Sequence, residues 1–399
     1  MGLPIAARLA QAGFELTIFD VQPDRLDQAA NLGQRSQSLL DAVQGADAIF
    51  SVLPADSHVD AVSRELAGIC TPGQVYVDFS TIAPATIEQV ARRLSAVDVQ
   101  TVSVAVTRGT AAAELGELAL FVGGGAELSA TLRAAFDSIA TDVRLVDGLG
   151  AAKALKIANN MVVSCLDVVI CEALVIGEQL GIVPEAVTSA LAAGGADSWA
   201  LRNHIVRFVL PDDLGPGHFS TRHMAKDVGL FIELAAEHGL AAPLAGVAAA
   251  CYRGVIAYGW GDNYHPIVIR WLERAANSPR PSTPARTDSG DGRSQHLRSI
   301  TAGVAAVQAL ASFDALAVLL ETGINEREAA AHLESGSAGN DSLCDVAEQM
   351  SGGRGLSGPN ALAEELAGAI DVARFVDVPA LMLEIGRSVA LGHARNGAR

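Results

Sequence analysis

Aromatic residues make up only 5% of this 399-residue chain and charged residues only 18%. Cores must therefore be built from Ala, Val, Leu and Ile, and a chain this long divides into two or three domains rather than one. Positive charge is also short: 28 Lys and Arg stand against 45 Asp and Glu, for a net charge of −17. That balance argues against a nucleic-acid partner, which calls for basic patches, and against an anionic membrane surface. It gives added weight to any Arg or Lys near a site for an anionic substrate. The five cysteines, Cys70, Cys165, Cys171, Cys251 and Cys344, form no CxxC pair. They are expected to be reduced, mostly buried thiols of a cytoplasmic protein with no metal site. No stretch reads as a signal peptide. The apolar run 161–176 contains Asp167 and Glu172, so it reads as a buried helix rather than a membrane span.

What is present falls into two patterns. Up to about residue 148, short β-branched runs recur at 16–20, 48–53, 75–78, 101–104, 118–122 and 143–146, with helix-like stretches such as 85–94 between several of them. Strands alternating with helices predict an α/β domain with a largely parallel sheet wrapped by helices. From residue 149 to about 276 the pattern is helical, and 155–180 forms one long apolar segment without Pro, ended by Gly181. Residues 277–296, with three prolines, many Ser, Thr and Gly and almost no apolar side chains, predict a linker. Residues 297–399 return to the helical pattern.

The last part repeats the middle part. A shift of 142 positions carries Leu155 onto Leu297, Ala173-Leu174 onto Ala315-Leu316, Gly181-Ile182 onto Gly323-Ile324, and Leu191, Gly194 and Ala196 onto Leu333, Gly336 and Ala338; over residues 155–197 it gives nine identities without a gap. The expected organisation is thus an α/β domain at 1–148, a helical domain at 149–276, and a second copy of the helical domain at 297–399.

The opening MGLPIAARLAQAGFELTIFD places a helix near Pro4 before a strand that ends in Asp20. In a dinucleotide-binding unit, glycine lets the pyrophosphate approach a helix N-terminus, and an acid after the next strand takes the ribose hydroxyls. Gly2 and Asp20 fit those roles, and Asp20 favours NAD over NADP by repelling a 2′-phosphate. The full fingerprint would have spent a strand and two glycines before Gly2, so the first strand of the sheet is expected to be absent.

Lys156 and Asn160 are four apart, so a helix puts them on one face. An ammonium beside a substrate oxygen can give or take its proton as hydride moves, and an amide can hold the same oxygen. Asn159 lies one residue off that face. Two adjacent Asn in an apolar helix are costly unless hydrogen-bonded. Lys153 is the competing lysine.

Six segments in order resemble those of the β-hydroxyacid dehydrogenase family, whose relatives include 3-hydroxyisobutyrate and 6-phosphogluconate dehydrogenases. The opening is similar to the tail of GxGxMGxPxAxxLxxAG, and Leu53-Pro54 to the turn after the fourth strand. Asp78-Phe79-Ser80-Thr81-Ile82-Ala83-Pro84 resembles D-x-S-T-x-x-P, and VTRGTAAAELGEL at 106–118 resembles the substrate loop V-S-G-G-x-x-G-A-x-x-G-x-L. The segment 148–160 resembles the catalytic G-x-G-x-x-x-K-x-x-N-N, and Lys226-Asp227 the later KD pair.

The resemblance implies a Rossmann-type domain followed by two all-α domains of the 6-phosphogluconate dehydrogenase type. It implies an NAD-dependent oxidoreductase (NADP possible) that interconverts a small anionic 3-hydroxy acid and its semialdehyde. Lys156 would be the general acid/base with Asn160 beside it, and Thr107, Arg108, Gly109 and Asn159 would bind substrate. Gly2, Asp20, Leu53, Pro54, Ser80, Thr81 and Lys226 would bind cofactor. Arg108 stands where the usual loop has Gly, and a guanidinium there could form a fork with a carboxylate, sulfonate or phosphate.

The second copy lacks this chemistry: the shift puts Arg298, Thr301 and Ala302 in place of Lys156, Asn159 and Asn160, and no KD pair stands near Glu364-Glu365. A permanently charged Arg is a poor general acid. The copy is expected to serve as an intrachain partner surface, making the chain a pseudo-dimer, with a homodimer as the alternative. The rival functional class is a degenerate dehydrogenase kept for binding or assembly.

Overall fold

All six β-branched runs become strands: β1 (Thr17–Ile18), β3 (Ala48–Ser51), β4 (Val75–Asp78), β5 (Gln100–Thr107), β6 (Leu118–Gly123) and β7 (Ala140–Val146). One further strand, β2 (Gln34–Arg35), consists of two exposed polar residues and carries no hydrophobic pattern to betray it. The computed structural model describes residues 1–124, 128–277, 291–352, 356 and 358–396. They divide into two units, Met1–Lys156 and Ile157–Arg399.

In the first unit the helices are α1 (Gly2–Gln11), α2 (Pro23–Gln28), α3 (Leu39–Val43), α4 (Asp56–Ile69), α5 (Pro84–Ser95), α6 (Gly109–Leu115) and α7 (Ala130–Ile139), followed by the start of α8 (Leu149–Gln179). The strands form a parallel β1–β2 pair and a separate sheet of order β3-β4-β5-β6-β7, parallel except between β5 and β6. Strand alternation divides the core between the two faces of the larger sheet. Val77, Phe79, Val102, Val104 and Leu120 pack with Ile5, Leu9 and Phe136 on one side. Tyr76 and Val99 pack with Val59, Leu66, Ile87 and Leu94 on the other. Helix α1 begins at Gly2, two residues before the expected start, and α5 opens on Pro84, whose fixed φ suits a first helical turn.

The second unit holds the rest of α8, then α9 (Pro184–Ala193), a wide π-type segment Leu201–Val209, α10 (Thr221–Glu237), α11 (Pro243–Ala257), α12 (Val268–Ala275), α13 (Asp291–Glu321), α14 (Glu326–Ser335), α15 (Leu343–Ser351), α16 (Pro359–Phe375) and α17 (Leu381–Asn396). Residues 149–276 and 297–399 were expected as separate helical domains; apart from 149–156, both fall in this one unit. Of the expected linker, 278–290 lie outside the described residues, and from Asp291 the chain is already helical. Both α8 and α13 are long and apolar enough to cross a membrane, but the most apolar stretch of α8 is wholly buried among the protein's own side chains. That hydrophobicity is spent on the core.

Element bounds follow the 142-residue shift. It carries α8 onto α13, α9 onto α14 and the segment Leu201–Val209 onto α15, bound for bound. The two halves also touch reciprocally. Trp199 N–H donates to Gly339 O (2.9 Å) and Asp341 N–H to Asp197 O (3.1 Å), flanking an antiparallel bridge between Ser198 and Asn340. Gly336 lies against Asn159, and its shifted counterpart Gly194 against Thr301. Each residue meets the equivalent of its partner's neighbour, which is the pattern of a two-fold contact.

Glu172 accepts N–H bonds from Met382 (2.8 Å) and Leu383 (3.4 Å) in the first turn of α17. Burial pushes its carboxyl from 4.5 up to about 8 against those bonds. The shifted counterpart, Asp314, is pushed by burial up to about 7. Carboxyls raised on folding give stability that is full below their unfolded pKa and lost as pH rises through the folded one. Stability should therefore fall between about pH 4.5 and 8 by roughly 1.4 kcal/mol per pH unit per proton. Urea unfolding should show Glu172→Gln, whose amide oxygen still accepts, with a shallower decline than wild type. An unchanged slope would refute the assignment.

Candidate functional site

The C-terminal ends of parallel strands are where ligands bind in doubly wound sheets, and in the first unit the expected residues collect there. Gly2 begins α1 beside the end of β3, where a Cβ on it would make ordinary contact with Val52 at 3.5 Å. Met1 at its N-cap makes no side-chain cap bond, and the N–H groups and positive end of a helix start suit a phosphate. Leu53, just past β3, donates its N–H to Ser80 Oγ, just past β4, at 2.9 Å. The turns that carry Leu53-Pro54 and Ser80-Thr81 are thus fastened together. Asp20 is exposed two residues after β1, with one carboxylate oxygen held by Gln22 N–H at 2.8 Å.

Beneath this edge lies a buried ion pair. Lys153 Nζ stands 2.7 Å from Asp78 Oδ2, with both side chains fully inaccessible. The ammonium also donates to the carbonyls of Asp78 (2.9 Å), Ser80 (2.8 Å) and Val104 (3.2 Å). Asp78 further accepts from Ser51 Oγ (2.7 Å) and Ser80 Oγ (2.8 Å). Tyr76, whose hydroxyl also reaches Asp78, has its pKa driven far up by burial and by that carboxylate. This network separates the two lysines. Lys153 is a strut between α8 and the ends of β4 and β5. Lys156, one helical turn on, is half-buried.

Strand β5 runs past β4, which pairs only with its first four residues, Gln100 to Ser103. Thr107 closes β5, 1% exposed, and its Oγ1 has no hydrogen-bond partner among the described residues. A buried hydroxyl left so is unusual and suits an absent oxygen ligand. Arg108 and Gly109 follow in left-handed conformation, φ 76° and 78°. The expected free guanidinium fork is not found. Arg108 donates to Glu117 O (3.0 Å) and Thr141 Oγ1 (3.0 Å), and stands 4.0 Å from Asp142. Its left-handed backbone turns the side chain back onto its own sheet.

In the second unit Asn159, Asn160, Asp227 and Lys226 form one connected network. Asn160 Nδ2 donates to Asp227 Oδ2 (2.5 Å), and Lys226 Nζ pairs with Asp227 Oδ1 (2.8 Å). Asn159 Nδ2 donates to Asn160 Oδ1 (3.1 Å) and Ser337 Oγ (2.8 Å), while its Oδ1 accepts from Ala338 N–H (3.0 Å). Asn159 was expected to touch substrate; both its amide protons and its carbonyl are instead committed inside the protein, and it is 1% exposed. Asp227, to which sequence reasoning gave no role of its own, is the residue that joins Asn160 to Lys226. Its sequence signal was the KD pair.

A second buried cluster lies apart from these residues. Asp167 accepts from His204 Nδ1 (2.9 Å) and pairs with His265 Nδ1 (2.9 Å). Burial raises the Asp167 carboxyl, but the two imidazoles outweigh it and bring the pKa below 3.8. The three groups could hold a metal ion, yet they also satisfy one another.

Two family models match consecutive stretches: the NAD-binding domain of 6-phosphogluconate dehydrogenase at residues 1–148, and the NAD-binding domain of NADP-dependent 3-hydroxyisobutyrate dehydrogenase at 150–272. The chain is 31% identical to 3-hydroxyisobutyrate dehydrogenase of Pseudomonas aeruginosa over 257 residues, 62% of this chain and 86% of that protein. It is 28% identical to the NAD-dependent L-serine dehydrogenase of the same organism, over 68% of this chain and 95% of that protein. The solved 3-hydroxyisobutyrate dehydrogenase of Mycobacterium tuberculosis with L-serine superposes at TM-score 0.62 and 28% identity, over 68% of this chain and 95% of that one. The 6-phosphogluconate dehydrogenase of Plasmodium falciparum covers 100% of this chain and 91% of its own length at TM-score 0.68; its 13% identity shows likeness of fold.

Proposed function

Since the chain belongs to the β-hydroxyacid dehydrogenase family, we propose that it is an NAD-dependent dehydrogenase of a small 3-hydroxy acid, with Lys156 as general acid/base. The observation that supports this reading is the placement of the lysines: Lys153 is buried against Asp78, and Lys156, one turn on, is half-buried and four residues before Asn160 on the same helix.

The residues present fit a dinucleotide: an uncapped helix start at Gly2, an exposed Asp20 after β1, and the fastened turns at Leu53-Pro54 and Ser80-Thr81. When bound, the nicotinamide exchanges hydride with the substrate carbon. In the oxidising direction Lys156, unprotonated, takes the hydroxyl proton as the carbonyl forms; in reduction its ammonium returns it. Asn160, on the same helix face, holds the substrate oxygen. Thr107 and the turn at Gly109 receive the substrate carboxylate, with Arg108 contributing backbone geometry rather than charge. Lys226 closes over the nicotinamide end. The second helical half is read as a duplicate of the first that supplies a partner surface within one chain, and the unpaired cysteines accord with a cytoplasmic location.

Fluorescence titration tests the cofactor half of this reading. NADH should bind saturably and more tightly than NADPH. Asp20→Ala should narrow the difference by about tenfold, the scale of one lost charge-assisted hydrogen bond. Equal affinity for both cofactors in wild type would remove Asp20 from the site.

A further inference from the structure

Position 159 raises a separate question. Its amide is the middle of a chain of hydrogen bonds that runs from the turn after α14 to the proposed substrate side. Ser337 Oγ and Ala338 N–H hold Asn159, Asn159 holds Asn160 Oδ1, and Asn160 holds Asp227. Gly336 makes the approach possible, because a Cβ there would stand 2.7 Å from Asn159 Oδ1. Its φ of −94° would suit any residue, so the glycine answers to space rather than backbone conformation.

The reciprocal contact in the other direction is chemically mute. There Gly194 meets the methyl of Thr301, the position equivalent to Asn159. An isologous contact has therefore been kept in shape on both sides but kept polar only on the side facing Asn160. Asn159 and Asn160 are 1% and 3% exposed. An amide buried in that way can flip or tilt unless all its partners are fixed, and a misplacement of about 1 Å at the substrate oxygen can cost up to a hundredfold in rate.

We propose that the 336–338 turn of the second helical half is a positioning element for the reaction, fixing the Asn160 amide through Asn159. Asn159 and Ser337 are positioning residues rather than substrate ligands. The inference rests on the proposed dehydrogenase reading, in which Asn160 holds the substrate oxygen. It makes the second half part of the working site and not only a surface for packing.

The test is a mutant cycle on the full chain, with NAD⁺ and 3-hydroxyisobutyrate as probes. Ser337→Ala should lower kcat roughly tenfold, with the KM for NAD⁺ unchanged, and Ser337→Thr, which keeps the hydroxyl, should restore it. In an Asn159→Ala background, Ser337→Ala should have no further effect, because its action passes through that amide. A kcat for Ser337→Ala within about twofold of wild type, or an equal loss in both backgrounds, would overturn the proposal. If wild type turns over no substrate, the dehydrogenase reading fails, and denaturant unfolding decides the relay. Coupling between Ser337→Ala and Asn160→Ala that disappears with Asn159→Ala would uphold it, and additive effects would refute it.

Discussion

Lys156→Ala should lower kcat about a thousandfold, within the range that a positioned acid/base contributes, while NADH affinity stays close to that of wild type. The contrast between the two readouts is the substance of this prediction. Lys156 lies in α8, outside the turns at Leu53-Pro54 and Ser80-Thr81. Lys156→Arg should not rescue the rate, since a guanidinium keeps its proton across the working pH range. The second half already carries that change: Arg298 stands at the equivalent position, exposed and bonded to Gln295 Oε1 at 2.7 Å. A Lys156→Ala enzyme within about tenfold of wild-type kcat would move the proton transfer to another group.

Lys153→Ala should be the most destabilising single change in the first unit. It leaves the Asp78 carboxylate fully buried without its cation and strips three carbonyls of a donor. Breaking a buried pair from one side costs about 3–5 kcal/mol, because the remaining charge has neither water nor partner. For a unit of this size that lowers the melting temperature by roughly 6–20 °C. The double change Lys153→Met with Asp78→Asn should recover most of the loss, since neutral groups of similar volume need no counter-charge. Calorimetry of wild type and the two variants checks both statements. If the single and double variants melt together, the pair is not what holds α8 to the strand ends.

These two lysines also show what was legible in the sequence. Their separation by one helical turn was visible, and the i to i+4 relation of Lys156 to Asn160 followed from helix geometry alone. Which lysine faces the strand ends was not, because that depends on where Asp78, Ser80 and Val104 lie in the folded sheet. The surroundings of Asn159 were not legible for a similar reason. Its partners Ser337 and Ala338 are almost 180 positions downstream, beyond the reach of any local pattern. The chemical nature of Arg108 suggested a fork for an anion, but a left-handed residue before α6 sends its side chain back toward Thr141 and Asp142. The strands were readable because each is an apolar, β-branched run. β2, two exposed polar residues, was not. The 142-residue shift, seen in nine identities, relates the bounds of α8 and α13 and of α9 and α14 as well.

The most direct test of the account is the reduction of NAD⁺, followed at 340 nm, by wild-type protein offered 3-hydroxyisobutyrate, L-serine and other small 3-hydroxy acids, with the matching alcohols lacking the carboxylate as controls. The account predicts saturable turnover of at least one 3-hydroxy acid and little of its alcohol. A folded protein that binds NADH yet transfers hydride from none of these acids would contradict it.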